Sequence, residues 1–292
     1  MRNYLLLVCC GLLTAACGGG SGVGSPGGTI PFTSWDNVPE NGTVRLQGAA
    51  KSAAYSYDLI TDNVDVGPIV SDDNAYLDIT FKNGEATRVV IGNTGAPIDV
   101  NEADGAVYQD FGIVIAGQTA DGEDTLVAAD ELDLGYQYQN FGVWVIGYNT
   151  GAGTVGTGSF GLSTAAADLP TSSIPATYIG YSAGLVTDGT GYFGTTADAQ
   201  IVADFAASGV TVSTSNTRLV DIDTLLDAGP AGELDYSGTG TISESTFDAS
   251  MISALTTGTA EGQFYGPNAE EVGGTFTSSG NGIIHVGSFG AN

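Results

Sequence analysis

The last stretch of the chain, Gly258 to Gly290, constrains the fold more than any other. Ala260, Gly262 and Phe264 alternate with Glu261, Gln263 and Tyr265. After Gly266-Pro267-Asn268 the alternation resumes, with Val272, Gly274 and Phe276 against Glu271, Thr275 and Thr277. Period two is the signature of half-buried strands. A proline presets φ for a tight turn between them. Small and aromatic residues alternate on the predicted buried face, which suits the taper inside a small closed barrel. Two linked strands and a closing strand are therefore expected here.

The same residues carry a resemblance. The run Gly262 to Phe276, GQFYGPNAEEVGGTF, resembles the closing hairpin of the transferrin-binding protein B barrel domain. That family comprises surface lipoproteins of Gram-negative bacteria, each lobe pairing a β-rich handle with an eight-stranded barrel. The resemblance implies an all-β chain with an N-terminal handle-like domain over residues 29–168 and a small antiparallel barrel over 169–292. It implies one lobe, where the receptor has two, and a role in binding a protein or an iron- or haem-related ligand through barrel and handle loops. Two alternatives stay open: a carrier of haem or another small solute, and a structural envelope lipoprotein with no specific ligand.

The amino terminus bears on compartment. Met1-Arg2-Asn3 precedes an apolar run from Tyr4 to Ala16, too short to span a bilayer. Leu13-Thr14-Ala15-Ala16-Cys17 resembles a bacterial lipoprotein cleavage box, so Cys17 is the expected lipidation site and residues 1–16 the signal peptide. Two or more acyl chains on Cys17 would anchor stably. Gly18 after the cysteine favours, by analogy, the outer over the inner membrane, and the family resemblance implies the cell surface. Residues 17–28 then supply the lipidated cysteine and a Gly/Ser tether. All three cysteines lie in this leader, which leaves the rest of the chain without a thiolate for a disulfide, a metal or nucleophilic catalysis.

Charge excludes one class of partner. With 33 acidic and 6 basic residues the net charge is −27, so nucleic acid is not expected as a ligand. A basic protein would be attracted instead. Asn83-Gly84 between alternating runs predicts a hairpin. Phe141, Val143 and Val145 alternate with residues that are also apolar, predicting a central strand. Trp35 is expected to pack over the sheet. Short strands are expected at 43–48 and 53–58, a continuous one at 107–116, and turn and linker from 147 to 164, with a short strand through Val155 and Phe160 as the alternative.

Catalytic motifs are weak. Gly180-Tyr181-Ser182-Ala183-Gly184 matches the serine-hydrolase elbow, but LVTDGTGYFG follows it and cannot form the bracing helix. Gly156 to Gly161 matches G-x-G-x-x-G without a βαβ unit around it. His285 is the only histidine, on an alternating strand whose faces the sequence does not distinguish. The acidic pairs and triplets, Glu270-Glu271 among them, read as solvated loops. No enzyme activity, metal site or cofactor is expected. Tyr178, Tyr181, Tyr192 and Phe193 fall near predicted barrel loops and are the candidate ligand-binding residues. Tyrosine offers contact area and a hydrogen bond at low entropic cost, although barrel lining explains about half of the four equally well.

Overall fold

A computed structural model describes residues 28–292 except 59 and 62; the leader, Cys17 and most of the tether lie outside the described residues. Strands dominate. The first eleven are β1 (Thr29–Pro31), β2 (Asn41–Asp58), β3 (Asn63–Val66), β4 (Val70–Lys82), β5 (Glu85–Gly92), β6 (Ile98–Asn101), β7 (Val107–Asp110), β8 (Val114–Gln118), β9 (Thr125–Ala129), β10 (Gln139–Ile146) and β11 (Ala152–Gly161). A short helix, α1 (Glu131–Leu134), separates β9 from β10. The remaining strands are β12 (Ala176–Thr187), β13 (Tyr192–Asp204), β14 (Gly209–Val220), β15 (Asp227–Pro230), β16 (Ser237–Ser243), β17 (Thr246–Ile252), β18 (Thr257–Tyr265), β19 (Glu271–Gly280) and β20 (Ile283–Ala291).

The first eleven strands form one sheet in the order β6-β5-β4-β2-β11-β10-β9-β8-β7, with β1 and β3 paired to β2. It curls around a core that holds Trp35, Leu46, Leu77, Trp144 and Phe160. The curl brings its two ends together: the Tyr108 hydroxyl on β7 donates to the Val100 carbonyl on β6 at 2.6 Å. The indole of Trp144 donates to the Ala96 carbonyl at 2.8 Å. Asn83 (φ 55°) and Gly84 (φ 84°) make the expected left-handed hairpin turn between β4 and β5.

The second sheet closes. β13 pairs with β12 on one side and β14 on the other, completing an eight-stranded antiparallel ring through β16, β17, β18, β19 and β20, with β15 appended to β14. Its interior holds Tyr178, Ile201, Phe247, Phe264, Phe276 and Phe289. Closure leaves the ring without a free edge strand.

Several expected boundaries shift. Residues 43–58 form one strand, β2, since bulging near Gly48–Ala50 lets it stay in register with β4. The 107–116 run breaks at Gly112 (φ 85°) into β7 and β8. The stretch 147–164 is no linker: its glycine-rich residues make β11, hydrogen-bonded to both β2 and β10. Glycine permits the backbone of this strand to lie against large rings; a Cβ on Gly156 would stand 2.2 Å from Trp144. Both catalytic motifs are ordinary strand: Ser182 lies mid-strand in β12 and Gly156–Gly161 lies within β11.

Candidate functional site

The two sheets pack through β10 and β11 against the outer face of β19 and β20. Inward positions on β20 are 285, 287, 289 and 291, and outward ones are 284, 286, 288 and 290, as the core position of Phe289 and the alternation require. Glu271, Gly273 and Thr275 point outward from β19, yet Glu271 and Thr275 are buried because the first sheet covers them. The Glu271 carboxylate accepts from the backbone amides of Gln137 and Tyr138. Burial pushes its pKa up to about 7 while those amides pull it down. It is therefore a clamp between sheets, not the solvated loop carboxylate expected from Glu270-Glu271. Gln139 donates to the carbonyls of Val272 and Ala291, Ser288 to Gly142 and Tyr136 to Gly290.

Beside this contact the sheets diverge into a cleft along the outer face of β12, interrupted at Ala183, which is buried with Tyr136, Phe141 and Val143 in one apolar cluster. Ile179, Tyr181, Ala183, Leu185 and Thr187 occupy that face in turn, a span of roughly 26 Å at the rise of a strand. Ile113, Asp133, Leu134 and Tyr136 oppose its open end, and Asp198 on β13 lies beside Tyr181. Val127, Val143 and Val145 form the middle wall. The 221–226 loop leans over, placing Ile222 and Leu225 against the cleft. Asp223 accepts a hydrogen bond from the Tyr148 hydroxyl. Burial and that carboxylate both raise the Tyr148 pKa.

The four candidate aromatics do not gather at one place. Tyr181 lies at the open end of the cleft and Tyr192 at the closed end, edge-on to both Tyr57 and Tyr148. Tyr178 is inside the barrel, 5% exposed, its hydroxyl donating to the Ala269 carbonyl at 2.7 Å. It pairs with Ile201, a core position, so strand parity turns it inward and away from any surface ligand. Phe193 pairs with Val186 and has the same parity as Tyr178, yet at the barrel rim it stays exposed. The apolar partners of Tyr181, Ile113 on β8's approach and Leu134 in α1, were not singled out in the sequence; only the topology brings them beside β12.

His285 points into the barrel. Its ring sits between the Thr195 hydroxyl on Nε2 and the Tyr236 hydroxyl on Nδ1, both at 2.8 Å, and Tyr236 also meets Ser278. Burial lowers its pKa to about 3. Among the described residues no group of three or more His, Cys, Asp or Glu side chains is placed to hold a metal ion. The acidic loops serve their own turns. Asp72 accepts from Asn74 and Thr94, Asp121 from Glu123 and Thr119, and Asp221 from Thr224. Among the described residues no helix is long and apolar enough to cross a membrane.

Among curated proteins, none matches the chain by sequence. Several solved structures overlap with it. Transferrin-binding protein B of Haemophilus parasuis Hp5, a double mutant, overlaps with a TM-score of 0.44 at 13% identity, over 89% of this chain and 78% of that one. The N-lobe of lactoferrin-binding protein B of Moraxella bovis overlaps with a TM-score of 0.41 at 15% identity, over 84% and 99%. HpuA of Kingella denitrificans, solved in complex with human haemoglobin, overlaps with a TM-score of 0.41 at 13% identity, over 89% of each chain. Overlap at this level assigns no ligand. The family model for the C-lobe and N-lobe β-barrels of transferrin-binding protein B matches residues 169–292, the segment that contains the closed ring. Residues 169–292 thus belong to the transferrin-binding protein B β-barrel family.

Proposed function

We propose that the chain is a binding protein, not an enzyme, held at the outer-membrane surface by lipid on Cys17, and that it captures a protein ligand at the open end of the handle–barrel cleft. The family of the barrel supports a binding role. The observation that carries the site is an exposed apolar rim set among carboxylates: Ile179 (54% exposed) and Tyr181 (37%) on β12, with Ile113 opposite, beside Asp133 and Asp198. Such a rim suits a partner segment that combines aliphatic and basic side chains. Charged surroundings steer encounter, and apolar anchors hold the complex.

Affinity capture tests this reading. The mature protein is exposed to the fluid that bathes the cell surface, beside an Ile179→Glu/Tyr181→Ala variant of unchanged thermal stability. A protein retained by the former and lost from the latter, and released by 0.5 M NaCl, is the expected result. Identical retained proteins with both would reject the rim as the site. Labelling with radioactive palmitate, abolished by Cys17→Ser, tests the anchor.

A further inference from the structure

The cleft changes character with depth. Beyond Ala183 lie two adjoining cavities of about 220 Å³ and about 60 Å³, partly open to solvent. They share Val145, Tyr148, Leu185 and Ile222 as walls, so they lie side by side. No charged side chain lines either cavity, in a chain that carries 33 acids and 6 bases. The deeper end is walled by Val64, Val66, Val155, Ile284 and Val286. Two of the three tyrosines there turn their hydroxyls elsewhere: Tyr148 donates to Asp223 and Tyr55 to the Gly147 carbonyl at 3.0 Å. What they offer the cavity is ring carbon.

We propose that these cavities hold one unbranched hydrocarbon chain of a neutral amphiphile, its head group at their opening to solvent. The distance along β12 from Ala183 to Thr187 is roughly 13 Å, which suits a chain and not a globular group. Water gains few hydrogen bonds on such walls, so apolar occupancy is favoured. The head is neutral because Asp223 stands beside the wall residue Ile222 in a chain of net charge −27, and Arg218, on the outer face of β14, is engaged by Asp227. Haem fits less well. It would bring two carboxylates to an acidic mouth, and no His, Cys or Met side chain lines the closed end. This site is separate from the rim that would meet a protein, and it stands whether or not that reading holds.

The test uses the full-length Cys17→Ser chain, so that no acyl group of its own can occupy the cavity. N-phenyl-1-naphthylamine reports on the apolar space, and monoacylglycerols of increasing chain length compete with it; native mass spectrometry counts the bound molecules. One monoacylglycerol per chain is expected. Each two-carbon extension should tighten binding about tenfold until the cavity is filled, after which the gain stops. Fatty acids of equal length should bind at least tenfold more weakly at neutral pH. Leu185→Trp should weaken binding at least tenfold, and Leu185→Ala should move the plateau to longer chains, an outcome that survives if the tryptophan variant does not fold. Failure to displace the probe, or affinity indifferent to chain length, would overturn the site. Equal binding of fatty acids would overturn the neutral head, and haem binding without any bound monoacylglycerol would overturn the chain.

Discussion

His285 shows how a single buried residue sets a pH response. Its folded pKa, about 3, lies below the ordinary value near 6.5, so the unfolded chain binds the extra proton between those limits. Its contribution to stability is fully present above about pH 6.5 and is lost as pH falls toward 3, at up to about 1.4 kcal/mol per pH unit. His285→Gln retains groups able to meet Thr195 and Tyr236 and cannot titrate. Urea unfolding of both proteins from pH 7 to pH 4 should show a shallower acid slope for the variant; parallel slopes would mean the ring is protonated when folded. Glu271 works in the opposite sense. Its folded pKa, raised to about 7, exceeds the unfolded value near 4.5, so its contribution is present below pH 4.5 and is lost as pH rises through 7. Glu271→Gln should flatten that upper limb. It should also lower stability by about 1–3 kcal/mol, since an amide nitrogen would then face one of the two backbone donors on Gln137 and Tyr138. A variant as stable as the parent at pH 5 would show that the clamp contributes nothing.

At the scale of strands, the join between the sheets depends on missing side chains. A Cβ on Gly273 would stand 2.3 Å from Gln139 Oε1 and 2.5 Å from Ser159 Oγ; one on Gly290 would stand 2.6 Å from the Phe141 ring. Gly273→Ala is therefore expected to force β19 away from β10 and β11 and destabilise by about 1–3 kcal/mol, lowering Tm by several degrees in scanning calorimetry. An unchanged Tm would show that the sheets yield there without loss. This join also explains what was readable in the sequence. The closing strands alternate as expected, with Ala260, Phe264, Val272 and Phe276 all in the barrel core. Local period and turn chemistry suffice for that. β11 was legible only around Val155 and Phe160 because its glycines erase the alternating pattern, and the burial of Glu271 was missed because its cover comes from the residues leading into β10, more than a hundred residues away. The cleft is the same kind of feature. Tyr181 and Tyr192 were legible as aromatic, but parity within β12 and β13, which separates them from Tyr178 and Phe193, becomes certain only when the ring is closed.

For the whole molecule, charge sets the balance. Four of the six basic residues are consumed internally, in Arg45–Asp78, Lys51–Glu261, Arg88–Asp99 and Arg218–Asp227. The net charge of −27 is therefore carried by carboxylates spread over both sheets, 20 of the 33 acids lying in residues 29–168. Folding draws these like charges together, and their mutual repulsion weakens the compact state. Salt shortens the reach of that repulsion, from a Debye length of about 30 Å at 0.01 M to about 8 Å at 0.15 M. The internal pairs lose a little over the same range, but surface pairs contribute only about 0–1 kcal/mol each, so the repulsive term decides the sign. Tm should rise by several degrees between 0.01 M and 0.5 M NaCl. It should rise equally in KCl and be indifferent to EDTA, since the effect is screening and not occupancy of a cation site. A flat or falling Tm would mean that internal pairs outweigh the uncompensated carboxylates. A rise abolished by EDTA would instead locate a bound divalent ion among the acidic turns.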